Sequence, residues 1–187
     1  METLVESAPT SFEKTASVVR TVTQVVSGSL FLAALSQVSI PLHPVPISLQ
    51  TLGIFLLAVT QGGGKAFSSS LLYLGLATLG LPFLAGGGSD TMWAILPSAG
   101  YLFGFPITSY VIGKMVDATK NPSPLRIAGS ILVGQIIIYV SGVFGLTRFL
   151  SFEQSLMSGL VPFLPLDGVK LLTASAFGSF WVRFKKG

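Results

Sequence analysis

The sequence is poor in charge. Of its 187 residues, 11 are Lys or Arg and 7 are Asp or Glu, 10% in all, against roughly 25% in a soluble domain. Ten of these charges are spread over residues 21–182, too few to cover a surface that faces water. Cysteine is absent, which excludes a disulfide framework and a thiolate metal site. The single histidine, His43, excludes a histidine-based metal cluster. No acid is placed to orient it in a Ser/His/Asp arrangement, and no paired carboxylates suit acid–base work. Gly64-Lys65 looks like the end of a phosphate-binding loop, but Ala66 follows where Ser or Thr is needed and Val59 stands where the first glycine belongs. ATP hydrolysis through a P-loop is therefore excluded, and the chain is not read as an enzyme. The net charge of +4 does not mark nucleic-acid binding, because no Lys/Arg run is interleaved with aromatics.

What remains is apolar. Half of the residues are hydrophobic, and the length has room for about six spans of about 20 residues each. Punctuation by proline and glycine separates segments at about 20–40, 47–61, 65–84, 93–116, 125–149 and 160–182. The second is short and is expected to use the preceding loop to complete its path. These runs have helical length and lack the alternation of barrel strands. The expected fold is an all-α integral membrane protein: one transmembrane domain with a six-helix bundle over about 20–182 and a polar cytoplasmic tail over 1–19. The polar, partly acidic start differs from the basic n-region of a signal peptide, so the first run is expected to be retained.

Six spans place both termini on one side of the membrane. Lys14, Arg20, Lys65, Lys114, Lys120, Arg126, Arg183, Lys185 and Lys186 fall on that side, Arg148 on the other, and Lys170 inside a span. The asymmetry makes the termini cytoplasmic. Three loops then lie outside: residues 39–46 with Pro41, Pro44 and Pro46, residues 85–91 with Gly86-Gly87-Gly88, and residues 148–159. Irregular backbone at membrane depth is tolerated where it lines a cavity or is buried in protein.

Asp167-Gly168-Val169-Lys170 is the sharpest feature. Asp and Lys at i and i+3 share one helix face, and each alone costs about 2.5–3.5 kcal/mol inside a span. One reading is a structural ion pair, or a snorkelling Lys170; the other is a polar pair facing a ligand cavity, with Lys170 suited to a carboxylate and Asp167 to N–H donors. Gln50 and Thr51 open segment two. The glycines at 86–88 are either a turn or a backbone surface for a ligand. Tyr101 and Tyr139 are either ligand contacts or interface residues, and Trp93 and Trp181 read as interface belt residues. Gly100-xxx-Gly104 and Ser29-xxx-Ala33 permit close helix approach, within the bundle or to another membrane protein.

Together, Ile40-Pro41-Leu42, the run from Pro44-Val45-Pro46 to Gln50-Thr51-Leu52, Gly80-Leu81-Pro82-Phe83, Gly86–Gly88, Gly100–Phe105, and Pro162-Phe163-Leu164-Pro165 leading into Asp167–Lys170 resemble the BioY family. These are the biotin-specific substrate-binding subunits (S components) of energy-coupling-factor (ECF) vitamin transporters. The resemblance covers about residues 20–182; Leu166 and Ser98-Ala99 are departures from its usual pattern. It implies a multi-pass protein of the bacterial cell (inner) membrane that captures biotin with high affinity from outside, with the first and second outer loops over the site.

On that picture Asp167 and Lys170 contact biotin, with Thr51 and the Gly86–Gly88 loop nearby. Lys170 is assigned by chemistry to the valerate carboxylate and Asp167 to the ureido N–H groups. No cofactor is implied. The implied partners are a transmembrane coupling protein, which would dock on the small-residue face around Ser29 and Ala33, and two cytoplasmic ATPases that would hydrolyse the ATP. Transport would involve toppling of the subunit in the membrane. Two other readings stand beside it: an S subunit for another small vitamin or precursor, and a self-sufficient secondary carrier, against which no inverted repeat is visible.

Overall fold

The computed structural model describes residues 11–184. Six long helices form the body: α1 (Ser11–Ser36), α2 (Gln50–Gln61), α3 (Gly63–Thr78), α4 (Ala99–Asp117), α5 (Pro124–Leu146) and α7 (Leu164–Phe184), with a short α6 (Phe152–Gly159) before the last. Among the described residues, three stretches are long and apolar enough to cross a membrane on length and composition: Ser11–Ser36, Pro124–Leu146 and Phe152–Phe184. The outer surface is apolar, with Leu30, Ile107, Ile136, Val140, Phe144 and Leu172 all exposed. A surface of that kind is stable against lipid and not against water.

α1 is already helical at Ser11, the first described residue, nine residues ahead of the expected start at 20. No Gly or Pro interrupts residues 11–27, and Thr15 Oγ1 donates to the Ser11 carbonyl at 2.9 Å. Helix propensity therefore carries the helix out past the apolar run. The tail over residues 1–10 and the cations Lys185 and Lys186 lie outside the described residues.

Part of the first loop is ordered as a hairpin. β1 (Ser39–Ile40) pairs antiparallel with β2 (Ile47–Ser48), Ser39 opposite Ser48 and Ile40 opposite Ile47. The ladder stops there because Pro41, Pro44 and Pro46 have no N–H to donate. Val45 and Ile47 are buried in the core. The hairpin thus extends the path of α2, whose 12 residues reach only about 18 Å at 1.5 Å per residue.

Two close approaches set the helix spacing. Gly62, at φ +79°, joins α2 to α3, and a Cβ there would stand 2.6 Å from Asp117 Oδ2. Asp117 Oδ2 accepts from the Gly63 N–H at 3.2 Å, fixing the joint on the end of α4. Where α4 crosses α5, a Cβ on Gly100 would stand 2.4 Å from the Ser141 carbonyl, so the Gly100-xxx-Gly104 face serves packing inside the bundle.

The third outer loop, residues 148–159, contains a short helix. Ser151 Oγ accepts from the Gln154 N–H at 3.3 Å and Gln154 Oε1 from the Ser151 N–H at 3.2 Å. This capping box starts α6. Alternating helix directions gather the ends of α1, α3 and α5 and the starts of α2, α4 and α7 at one end of the bundle, together with the hairpin and α6.

Candidate ligand-binding site

A cavity of about 410 Å³ opens at this gathered end, within the roughly 300–1,000 Å³ usual for small-molecule sites. Val45 and Pro46 of the hairpin, Leu84, Leu96 and the rings of Tyr101, Phe105 and Phe163 supply apolar walls, and Ser48, Gln50, Thr51, Ser98, Tyr139, Asp167 and Lys170 supply polar groups. His43 and Asp90 also line it and are exposed.

Asp167 and Lys170, one turn apart in α7, form an ion pair of 2.7 Å and are both buried. The ammonium donates to Asp167 Oδ1, to the Ser48 carbonyl at 2.8 Å and to Thr51 Oγ1 at 3.0 Å. An ammonium has three protons, so Lys170 ties α7 to the hairpin end and to α2 with no proton left over. Asp167 Oδ2 accepts from Gln135 Nε2 at 3.0 Å and from the Tyr139 hydroxyl at 2.8 Å, both on α5. A carboxylate offers about four acceptor positions; three are filled and one remains.

The Asp-Lys reading is thus resolved geometrically as both a structural pair and a cavity wall. A ligand carboxylate on Lys170 would take the place of one of these three bonds. Thr51, which accepts from Lys170, keeps its own hydroxyl proton available for a ligand.

Gln50 lines the cavity with both ends of its amide engaged: Nε2 donates to the Tyr73 hydroxyl at 2.5 Å and Oε1 accepts from Ser48 Oγ at 2.7 Å. Tyr73 in turn donates to the Phe83 carbonyl at 2.7 Å, tying the hairpin, α2, α3 and the following loop together. The Tyr101 hydroxyl donates to the Gly159 carbonyl at 2.6 Å, and its ring stacks on Phe163. Tyr101 therefore fastens the end of α6 to α4 while its ring forms cavity wall.

Of the three glycines, Gly88 lines the cavity. Gly86 and Gly87, at φ +68° and +79°, shape a turn packed on the hairpin side: Cβ atoms there would stand 3.1 Å from Ser39 Oγ and 3.2 Å from Gln37 Oε1. Two expectations are corrected. Ser29 and Ala33 are buried and lie on the inward side of α1, where neighbouring Gly28 meets Ser69 and Gln61; they do not form a docking face, and the outward residues of α1 include Val22, Val26 and Leu30. Trp93 is not a belt residue: it is buried, donates from Nε1 to Thr78 Oγ1 at 2.9 Å and packs on Phe103.

Site residues not anticipated include the apolar walls Leu84, Leu96, Phe105 and Phe163 and the polar groups Ser48, Ser98 and Gln135. Ser48 at the end of β2 and Ser98 just before α4 are small polar groups that carry little signal alone. Gln135 had one: it is the polar residue in Ile131-Leu132-Val133-Gly134-Gln135-Ile136-Ile137-Ile138, one turn before Tyr139 on the same face.

The fold and the cavity define an all-helical membrane protein with a cavity of small-molecule size at one end. The BioY family model matches residues 6–186, and the chain belongs to that family. A "Biotin transporter BioY" of Thermotoga maritima is 33% identical over 167 residues, 87% of this chain and 96% of that protein. A "Probable biotin transporter BioY" of Pyrococcus horikoshii is 33% identical over 149 residues, 78% and 88%. One of Lysinibacillus sphaericus is 38% identical over 106 residues, a match spanning 57% of this chain and 54% of that protein. A crystal structure of the S-component for biotin from an ECF-type ABC transporter superposes with a TM-score of 0.81 at 28% identity, covering 96% of each chain.

Proposed function

We propose that this chain is the biotin-capturing membrane subunit of an ECF-type uptake transporter. The observation that carries the reading is the buried Asp167–Lys170 pair in a cavity whose walls also carry aromatic and aliphatic groups, in a chain related to biotin transporters. Biotin's ureido group offers two N–H donors and a carbonyl, next to an apolar ring system and chain. The vacant acceptor position on Asp167 suits one ureido N–H, and the Thr51 hydroxyl suits the carbonyl. The rings of Tyr101, Phe105 and Phe163 suit the apolar part. The valerate carboxylate is left for Ser98, which lines the cavity just before α4; helix N-termini favour anions.

The cavity end faces outward. Lys14, Arg20, Lys65, Lys114, Lys120, Arg126 and Arg183 lie toward the other end, which the positive-inside rule makes cytoplasmic, and a bacterial inner membrane supplies that arrangement. Energy for uptake then comes from a transmembrane coupling protein and two cytoplasmic ATPases. Binding of biotin to the purified protein, measured against a panel of other vitamins, tests the ligand. Uptake into vesicles with and without the ATPase module tests the need for partners. Preference for another vitamin overturns the ligand, and full uptake without ATP overturns the coupling.

A further inference from the structure

Gln135 stands behind the cavity wall and is 5% exposed. Its Nε2 donates to Asp167 Oδ2, while its Oε1 is buried with no hydrogen-bond partner. A buried acceptor without a partner costs stability that an apolar side chain of similar size would not. For packing alone a leucine would serve better, so what offsets the cost is the bond to Asp167. That bond has a specific place. Lys170, on α7 itself, holds Oδ1, and Gln135, from α5, holds Oδ2. The carboxylate is thereby fixed in rotation from two helices. Tyr139 also donates to Oδ2, but it is only half-buried and lines the cavity, where a ligand can compete with it.

From this arrangement we infer that Gln135 is a positioning residue for ligand binding, acting through Asp167: it aims the vacant acceptor position of the carboxylate at an N–H donor of the bound molecule. The inference rests on the biotin reading. Its test is a titration of biotin into the purified full-length protein and its Gln135→Leu variant, with Gln135→Met as a second substitution. It is paired with infrared spectra of protein carrying isotope-labelled aspartate, the Asp167 carboxylate band being assigned by its loss in Asp167→Asn.

The expected result is a biotin affinity about tenfold weaker or more, thermal stability of the ligand-free protein at or above wild type, and a shifted Asp167 band. Unchanged affinity with a wild-type that binds biotin overturns the role of Gln135 and leaves the function standing. Weaker affinity with an unmoved band assigns the loss to general packing and also overturns it, as does failure of both variants to fold. A wild-type protein that does not bind biotin overturns the function and, with it, this inference.

Discussion

Lys170 and Asp167 neutralise each other across 2.7 Å within one turn of α7, and each also bonds to other elements: Lys170 to the Ser48 carbonyl and Thr51, Asp167 to Gln135 and Tyr139. The pair is the point at which α2, α5, α7 and the hairpin meet. Its removal one member at a time therefore differs from its removal as a unit.

Lys170→Met leaves a buried carboxylate without its counter-ion, a loss of about 3–5 kcal/mol for buried pairs in general. Asp167→Asn leaves the ammonium in the same position. The double variant Asp167→Asn/Lys170→Met is expected to be more stable than Lys170→Met and still to lose biotin binding. Thermal unfolding of the three variants in one detergent checks the order.

Thr51→Val keeps the shape of the side chain but removes an acceptor of Lys170 and the hydroxyl proton assigned to the ureido carbonyl. A drop of about 1 kcal/mol in stability and a roughly tenfold weaker affinity are expected. Titration of biotin, with unfolding measured in parallel, separates the two effects.

A Cβ on Gly142 would stand 2.2 Å from the Tyr101 ring, which also stacks on Phe163. In Gly142→Ala the ring must move, and it already forms part of the cavity wall. The expected loss is about 1–3 kcal/mol of stability, with a cavity reshaped enough to weaken biotin binding. Gly129→Ala, at a position where a Cβ meets nothing within 4 Å, is the control expected to match wild type.

The absence of cysteine makes topology directly measurable. A cysteine at Thr147, at the cavity end of α5, is expected to react with an impermeant maleimide in intact cells. One at Thr119, after α4 at the other end, is expected to react only after permeabilisation.

Much of this was readable before the structure, for physical reasons that differ by residue. Asp167 and Lys170 stood out because charge is nearly excluded from a membrane interior, so an exception marks itself. Helix number and loops followed from apolar runs cut by proline and glycine. Which face of α1 points inward was not readable: a helix between protein and lipid is apolar on both sides, so Ser29 and Ala33 carried no direction. The two-residue strands are too short to leave a periodic pattern. Helix α6 was readable in principle from the capping-box spacing of Ser151-Phe152-Glu153-Gln154. Two of the three bonds that occupy the protons of Lys170 come from residues 119 and 122 positions away, and no local pattern announces them.

The central claim is that the Asp167 carboxylate receives the ligand. Calorimetric titration of biotin into the purified wild-type protein and into Asp167→Asn tests it most directly. Saturable tight binding to wild type, weakened about a hundredfold by the substitution, is the predicted result. Equal affinity in a folded Asp167→Asn protein would contradict it.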